Sequence, residues 1–226
     1  MQGKFQLGAS GLTCLLACIL FAPGWTGFAG EAVIEGTVTL PARRGGADTS
    51  ARYGQKSGKV AEPEKPAAVV YLEGTFPSTS IPASVVTNMV QRGYQFSPSL
   101  LPVLTNTTVR FPCEDADYHH VFSYSKAREF DLGRYRQDEN PPAVVFDKSG
   151  EVLIGCEIHD HMQAVVLVLE TPHFVRTDSA GTYRLPLQGV PPGDYQLKAW
   201  VGPKNIRERT VTVKDGATIR ADFPGQ

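Results

Sequence analysis

The stretch Gln163–Glu170, QAVVLVLE, is the most restrictive feature of this chain. It is a nearly continuous apolar run of strand length, so it reads as a central strand buried on both faces. Directly before it stands Gly155–Met162, GCEIHDHM, and before that the strand-like segment Glu151–Cys156. The order is strand, tight turn, strand. The turn crowds one cysteine, two histidines and one methionine into the seven residues Cys156–Met162. Because Cys156 ends one strand and Gln163 opens the next, the six residues between them must curl sharply. Such a curl can aim positions 156, 159 and 162 at one point, with His161 left as a further candidate. Thiol, imidazole and thioether are the soft and borderline donors that copper prefers.

The rest of the chain has the same texture. Its 226 residues suffice for one large domain or two small ones, and 22 Gly and 17 Pro break the sequence into short segments. Strands are expected at Glu31–Leu40, Ala67–Leu72, Leu101–Phe111, Val121–Tyr124, Phe130–Tyr135, Ala143–Phe146 and Glu151–Cys156, followed by the apolar run. Residues 41–66 are rich in Arg, Gly, Ala, Lys and Pro without apolar periodicity, which predicts a long flexible loop or insertion. The fold class is therefore all-β. A formal net charge of −1 without a basic cluster argues against a nucleic-acid partner.

The N-terminus reads as an export signal rather than as fold. Lys4 precedes a largely apolar Phe5–Ala22, and small residues follow at Gly27-Phe28-Ala29-Gly30, which places cleavage after Ala29 and leaves no membrane span. Two other fates share these residues: an uncleaved anchor, and a lipid anchor at Cys18, since Leu15-Leu16-Ala17-Cys18 resembles a bacterial lipobox. Loss of residues 1–29 removes Cys14, Cys18 and Lys4, moves the net charge to −2, and leaves only Cys113 and Cys156. Two cysteines in an exported chain default to a disulfide, which is the rival to a metal site.

From Thr171 the texture changes. Turn clusters at Asp178–Gly181 and Pro191–Asp194 separate alternating segments, and Arg207–Val213 and Ala217–Phe223 supply two further strands. Thr177-Asp178, Gly181-Thr182-Tyr183 and Val190–Tyr195 resemble the carboxypeptidase regulatory-like (transthyretin-like) β-domain family. The resemblance implies a small β-sandwich over 171–226, serving as spacer or interaction surface.

A mononuclear copper site for electron transfer takes two imidazoles and one thiolate in a plane, with a weak axial ligand. Cys156, His159 and Met162 leave one position open, and Asp117–Ser123, DYHHVFS, offers a histidine at the start of a strand. Here residues 100–170 resemble a cupredoxin of the plastocyanin–amicyanin type. Thr107–Phe111 before His119 mirrors that family's strand leading to its first ligand histidine. Val145–Gly150 mirrors its turn before the copper cysteine, and Cys156–Met162 has the C-x2-H-x2-M spacing of amicyanin. The whole chain also resembles bacterial methylamine-utilisation-like proteins. The resemblance implies a Greek-key copper domain over residues 30–170, with His119, Cys156 and His159 as equatorial ligands and Met162 as the axial one. One ion would cycle between Cu(I) and Cu(II), passing electrons through an exposed edge of His159. The implied setting is the periplasm, with a c-type cytochrome or a periplasmic dehydrogenase as partner. The family has Asn after the first histidine, whereas this chain has His120, so either ring of the pair is a candidate ligand; His161 is a further spare imidazole.

Two other functions use the same residues. A copper storage, delivery or sensing module would exploit the surplus His120 and His161. A metal-free interaction protein would pair Cys113, six residues before His119, with Cys156. No nucleophile–base motif, phosphate loop or carboxylate pair points to an enzyme.

Overall fold

The alternation read along the chain becomes strand almost throughout. The structure, a computed structural model, describes residues 31–42, 60–74, 76, 85–140 and 142–225. The leader read at 1–29 and most of the loop read at 41–66 lie outside these residues. The described residues form seventeen strands and no helix, so the all-β class holds. No helix among them is long and apolar enough to cross a membrane.

In chain order the strands are β1 (Val33–Thr37), β2 (Val69–Leu72), β3 (Val86–Asn88), β4 (Val90–Gln91), β5 (Phe96–Ser97), β6 (Leu100–Leu104), β7 (Thr107–Arg110) and β8 (His119–Ser125). Then follow β9 (Arg128–Tyr135), β10 (Ala143–Phe146), β11 (Gly150–Cys156), β12 (Gln163–Leu169), β13 (Phe174–Arg176), β14 (Thr182–Pro186), β15 (Gly193–Gly202), β16 (Asn205–Val213) and β17 (Thr218–Arg220). Leu101–Phe111 is two strands rather than one. Asn106, at φ 67°, turns the chain between them, and the two halves enter different sheets. An Asn side chain tolerates that left-handed conformation, which is why a single such residue breaks an otherwise strand-like run.

Strands β6-β12-β11-β8-β9 make one sheet and β10-β7-β3 another. Val109, Phe111, Val121, Phe146, Ile154 and Val166 come from both sheets and close a common core. As the apolar run predicts, β12 lies inside its sheet, between β6 and β11. Val166 and Val168 face the core, while Leu167 and Leu169 pack on the opposite side against Val69 and Trp200. Burying such side chains contributes roughly 1.5–3 kcal/mol each, so a strand covered on both faces tolerates few polar positions.

The second sandwich departs from the expected boundary at 170. Its sheets are β14-β1-β17 and β13-β2-β15-β16. Strands β1 and β2, expected in the copper domain, are interior strands of the C-terminal sandwich. Ile34, Val70 and Leu72 share its core with Leu185, Leu197 and Val211. The strands of the first sandwich, β3–β12, thus sit in the chain between β2 and β13. Alternation announces a strand with one buried face, but it does not say which later strands will cover that face. Of the expected loop, residues 60–66 carry no strand, and Glu64 tethers them by accepting from Ser97 Oγ, Ser99 N and Arg176 Nη2.

Candidate metal centre

β8 and β11 are antiparallel neighbours, with Cys156 opposite Val121. The first residues of β8 therefore lie beside the last residue of β11, and His119 meets Cys156 across a separation of 37 residues. The turn after Cys156 closes on itself: Met162 N donates to His159 O at 2.9 Å, and Cys156 N donates to Met162 O at 3.3 Å. That closure swings His159 back over the thiol.

The result is a group of three donors. Cys156 Sγ lies 3.8 Å from His119 Nδ1 and 3.6 Å from His159 Nδ1. The three ligand atoms fall within 4.8 Å of one another, and His119, Cys156 and His159 are 0%, 5% and 4% exposed. A metal with bonds of about 2.3 Å to sulfur and about 2.0–2.1 Å to nitrogen, in trigonal to tetrahedral array, separates the sulfur from each nitrogen by roughly 3.6–3.8 Å. The spacing fits one small metal ion, and a thiolate with two imidazoles fits copper. Met162, wholly buried at the end of the same turn, packs in the core beside Cys156.

Strand alternation separates the two adjacent histidines. His119 shares the inward face of β8 with Val121 and Ser123. His120 points outward, with Nε2 at 2.5 Å from Asp131 Oδ1 and Nδ1 at 2.7 Å from Glu157 Oε2, and it does not join the group. His161 also stands apart: its Nε2 donates to Tyr94 O at 3.1 Å. His159 has no exposed edge of the kind expected above, because the Tyr94 ring packs against it at 5.1 Å. Cys113 and Cys156 are both free thiols, so the disulfide reading is not what this structure contains. The Cys113 thiol donates to Asp115 O, and burial pushes it up to about 11.

Two residues at the site had no part in the sequence reading. Asp115 Oδ2 lies 3.0 Å from His119 Nε2, and Asp115 also accepts from Gly93 N and Tyr94 N. Its place four residues before His119 was the available signal. Tyr94, at φ 58°, is held in a conformation rare for an aromatic residue. Its ring packs against both His119 and His159, and its hydroxyl donates to Asp117. Nothing local in the sequence announces it, because the β4–β5 turn that carries it approaches the metal end only in three dimensions.

The electrostatics follow from these contacts. Burial disfavours a charged His119, but the Asp115 carboxylate and the Cys156 sulfur outweigh it and push the ring up to about 9. Burial also opposes the Cys156 thiolate, yet His119 and the backbone N–H groups of His120, Ile158 and His159 hold it below the usual thiol range. His159 is lowered by burial and by the neighbouring His119 charge. Without metal the site thus sets a Cys156 thiol shifted toward its charged form beside a His119 ring that holds its proton and a His159 ring that gives its proton up more easily.

No family profile matches the chain, and no curated relative does. Among solved structures it is similar to a purple cupredoxin from Nitrosopumilus maritimus, at 18% identity and TM-score 0.33, over 37% of this chain and 99% of that one. Amicyanin from Paracoccus versutus aligns at 17% identity and TM-score 0.33, over 44% and 97%. A Cu-containing nitrite reductase from Thermus scotoductus aligns at 22% identity and TM-score 0.36, over 44% of this chain and 25% of that one.

Proposed function

We propose that this chain is a type 1 copper protein that carries single electrons. The observation that carries the reading is the buried Cys156 sulfur flanked at 3.6–3.8 Å by Nδ1 atoms of two histidines from separate elements. In this reading His119, Cys156 and His159 would hold one copper ion, and Met162, buried at the end of the same turn, would be the fourth candidate ligand. Bound copper provides the Cu(II)/Cu(I) couple, and the folded walls keep the ligands in place in both states. The protein is a carrier rather than an enzyme. Removal of residues 1–29 delivers it to the periplasm, and a c-type cytochrome or a periplasmic dehydrogenase exchanges electrons with it.

The storage or delivery reading loses the support that surplus imidazoles lent it. His120 is occupied by Asp131 and Glu157, and His161 by the Tyr94 carbonyl. Visible absorption and paramagnetic resonance of the Cu(II)-loaded protein test the proposal. An intense thiolate-to-copper band that disappears in Cys156→Ser is expected. A weak tetragonal signal unchanged by that substitution would sink it.

A further inference from the structure

His119 uses its two nitrogens differently. Nδ1 turns to Cys156 Sγ, and Nε2 faces a carboxylate, Asp115 Oδ2, at 3.0 Å. The Asp115 side chain is only 11% exposed. Oδ1 accepts from Gly93 N at 2.6 Å and Oδ2 from Tyr94 N at 3.0 Å, so the group is anchored on two sides besides the ring. We propose that Asp115 is a positioning residue for bound copper, one that fixes the tautomer of His119 and favours Cu(II) over Cu(I). The inference rests on the copper reading above.

A neutral imidazole has one donor nitrogen and one acceptor nitrogen. An ionised carboxylate only accepts, so the proton belongs on Nε2 and the lone pair on Nδ1, where the metal fits. A backbone carbonyl would select the same tautomer, but the carboxylate adds a full negative charge behind the ring. That charge makes the ligand a better electron donor and stabilises the more highly charged ion, in a buried setting where water screens little. The same carboxylate pins the Gly93–Tyr94 turn, whose two residues both have positive φ (60° and 58°). The turn in turn lays the Tyr94 ring over His119 and His159. One side chain thus controls the ring's tautomer, its donor strength and its cover.

The test is a redox titration of the copper-loaded protein beside Asp115→Asn. The expected loss in Cu(II) affinity exceeds that in Cu(I) affinity by about tenfold, which for one electron is a rise of about 59 mV in potential. Equal weakening of both states, with the potential unmoved, would make Asp115 a merely structural residue and overturn the proposal. A measurement on the unsubstituted protein guards against a variant that does not fold: the Cu(I)-loaded form is expected to show an exchange-protected Nε2 proton on His119, and its absence overturns the clamp. If the protein takes up no copper, the copper reading fails by itself. Zn(II) affinity then decides the positioning role, with about tenfold weaker binding in Asp115→Asn supporting it and equal binding overturning it.

Discussion

Trp200 Nε1 of the second sandwich donates to Glu151 Oε1 of the first at 2.6 Å. Glu151 lies on β11, the strand that ends in Cys156, so this bond fastens one sandwich to the strand that carries the buried sulfur. Around it Val69, Leu100, Leu167 and Leu169 complete an apolar seam. Trp200→Ala should therefore cost about 3–5 kcal/mol in urea unfolding, and Trp200→Phe should cost less. An unfolding midpoint unchanged in Trp200→Ala would mean that the seam carries no load.

The nesting of the sandwiches makes a second prediction. Residues 171–226 alone lack β1 and β2, the strands that sit between β14 and β17 and between β13 and β15. A chain of that length is marginal even with its sheets complete. The isolated fragment should be unfolded by far-ultraviolet circular dichroism and show collapsed amide dispersion. A dispersed spectrum would contradict the assignment of β1 and β2 to its core.

The outward turn of His120 separates its role from that of its neighbour. His120→Ala should retain the thiolate-to-copper band, because the ring lies outside the donor group; His119→Ala should lose it. The lost contacts to Asp131 and Glu157 involve exposed carboxylates, so the stability cost should stay within about 1 kcal/mol. Loss of the band in His120→Ala would mean that the loop needs this clamp to hold its shape.

Copper uptake should release at least one proton near neutral pH, the one that His119 holds. Binding requires a neutral His119, which without metal keeps its proton up to about 9. His159 is lowered and already neutral, and Cys156 is lowered toward the thiolate that the metal needs. Apparent affinity should rise at least tenfold per pH unit through the neutral range, and the His119 contribution should level off near its own value of about 9. Calorimetry in two buffers of different ionisation enthalpy measures the proton count. A count of zero would mean that His119 is neutral beforehand, and a count of two that Cys156 is still a thiol.

Strand identity was legible because it depends on local pattern. Ala143–Phe146 is a strand within its expected bounds, and β12 is buried on both faces because a continuous apolar run leaves no other choice. The convergence of Cys156 and His159 was legible too, because a turn of six residues between paired strands restricts which of its side chains meet; His119 joins them from β8. The choice between His119 and His120 was open to sequence in principle, since His119 keeps phase with Val121 and Ser123.

Partnership between distant segments was not legible. That β1 and β2 belong to the later sandwich, that Tyr94 covers His159, and that His120 grips Glu157 are contacts across long separations. Many strands of similar pattern could satisfy the same hydrophobic face, and the choice is made only when complete sheets close over a common core. The sequence by itself determined an all-β chain with Cys156, His159 and Met162 crowded on one turn. Tertiary structure decided which strands share a core and which groups stand behind the donors, because those outcomes depend on packing summed over the whole molecule.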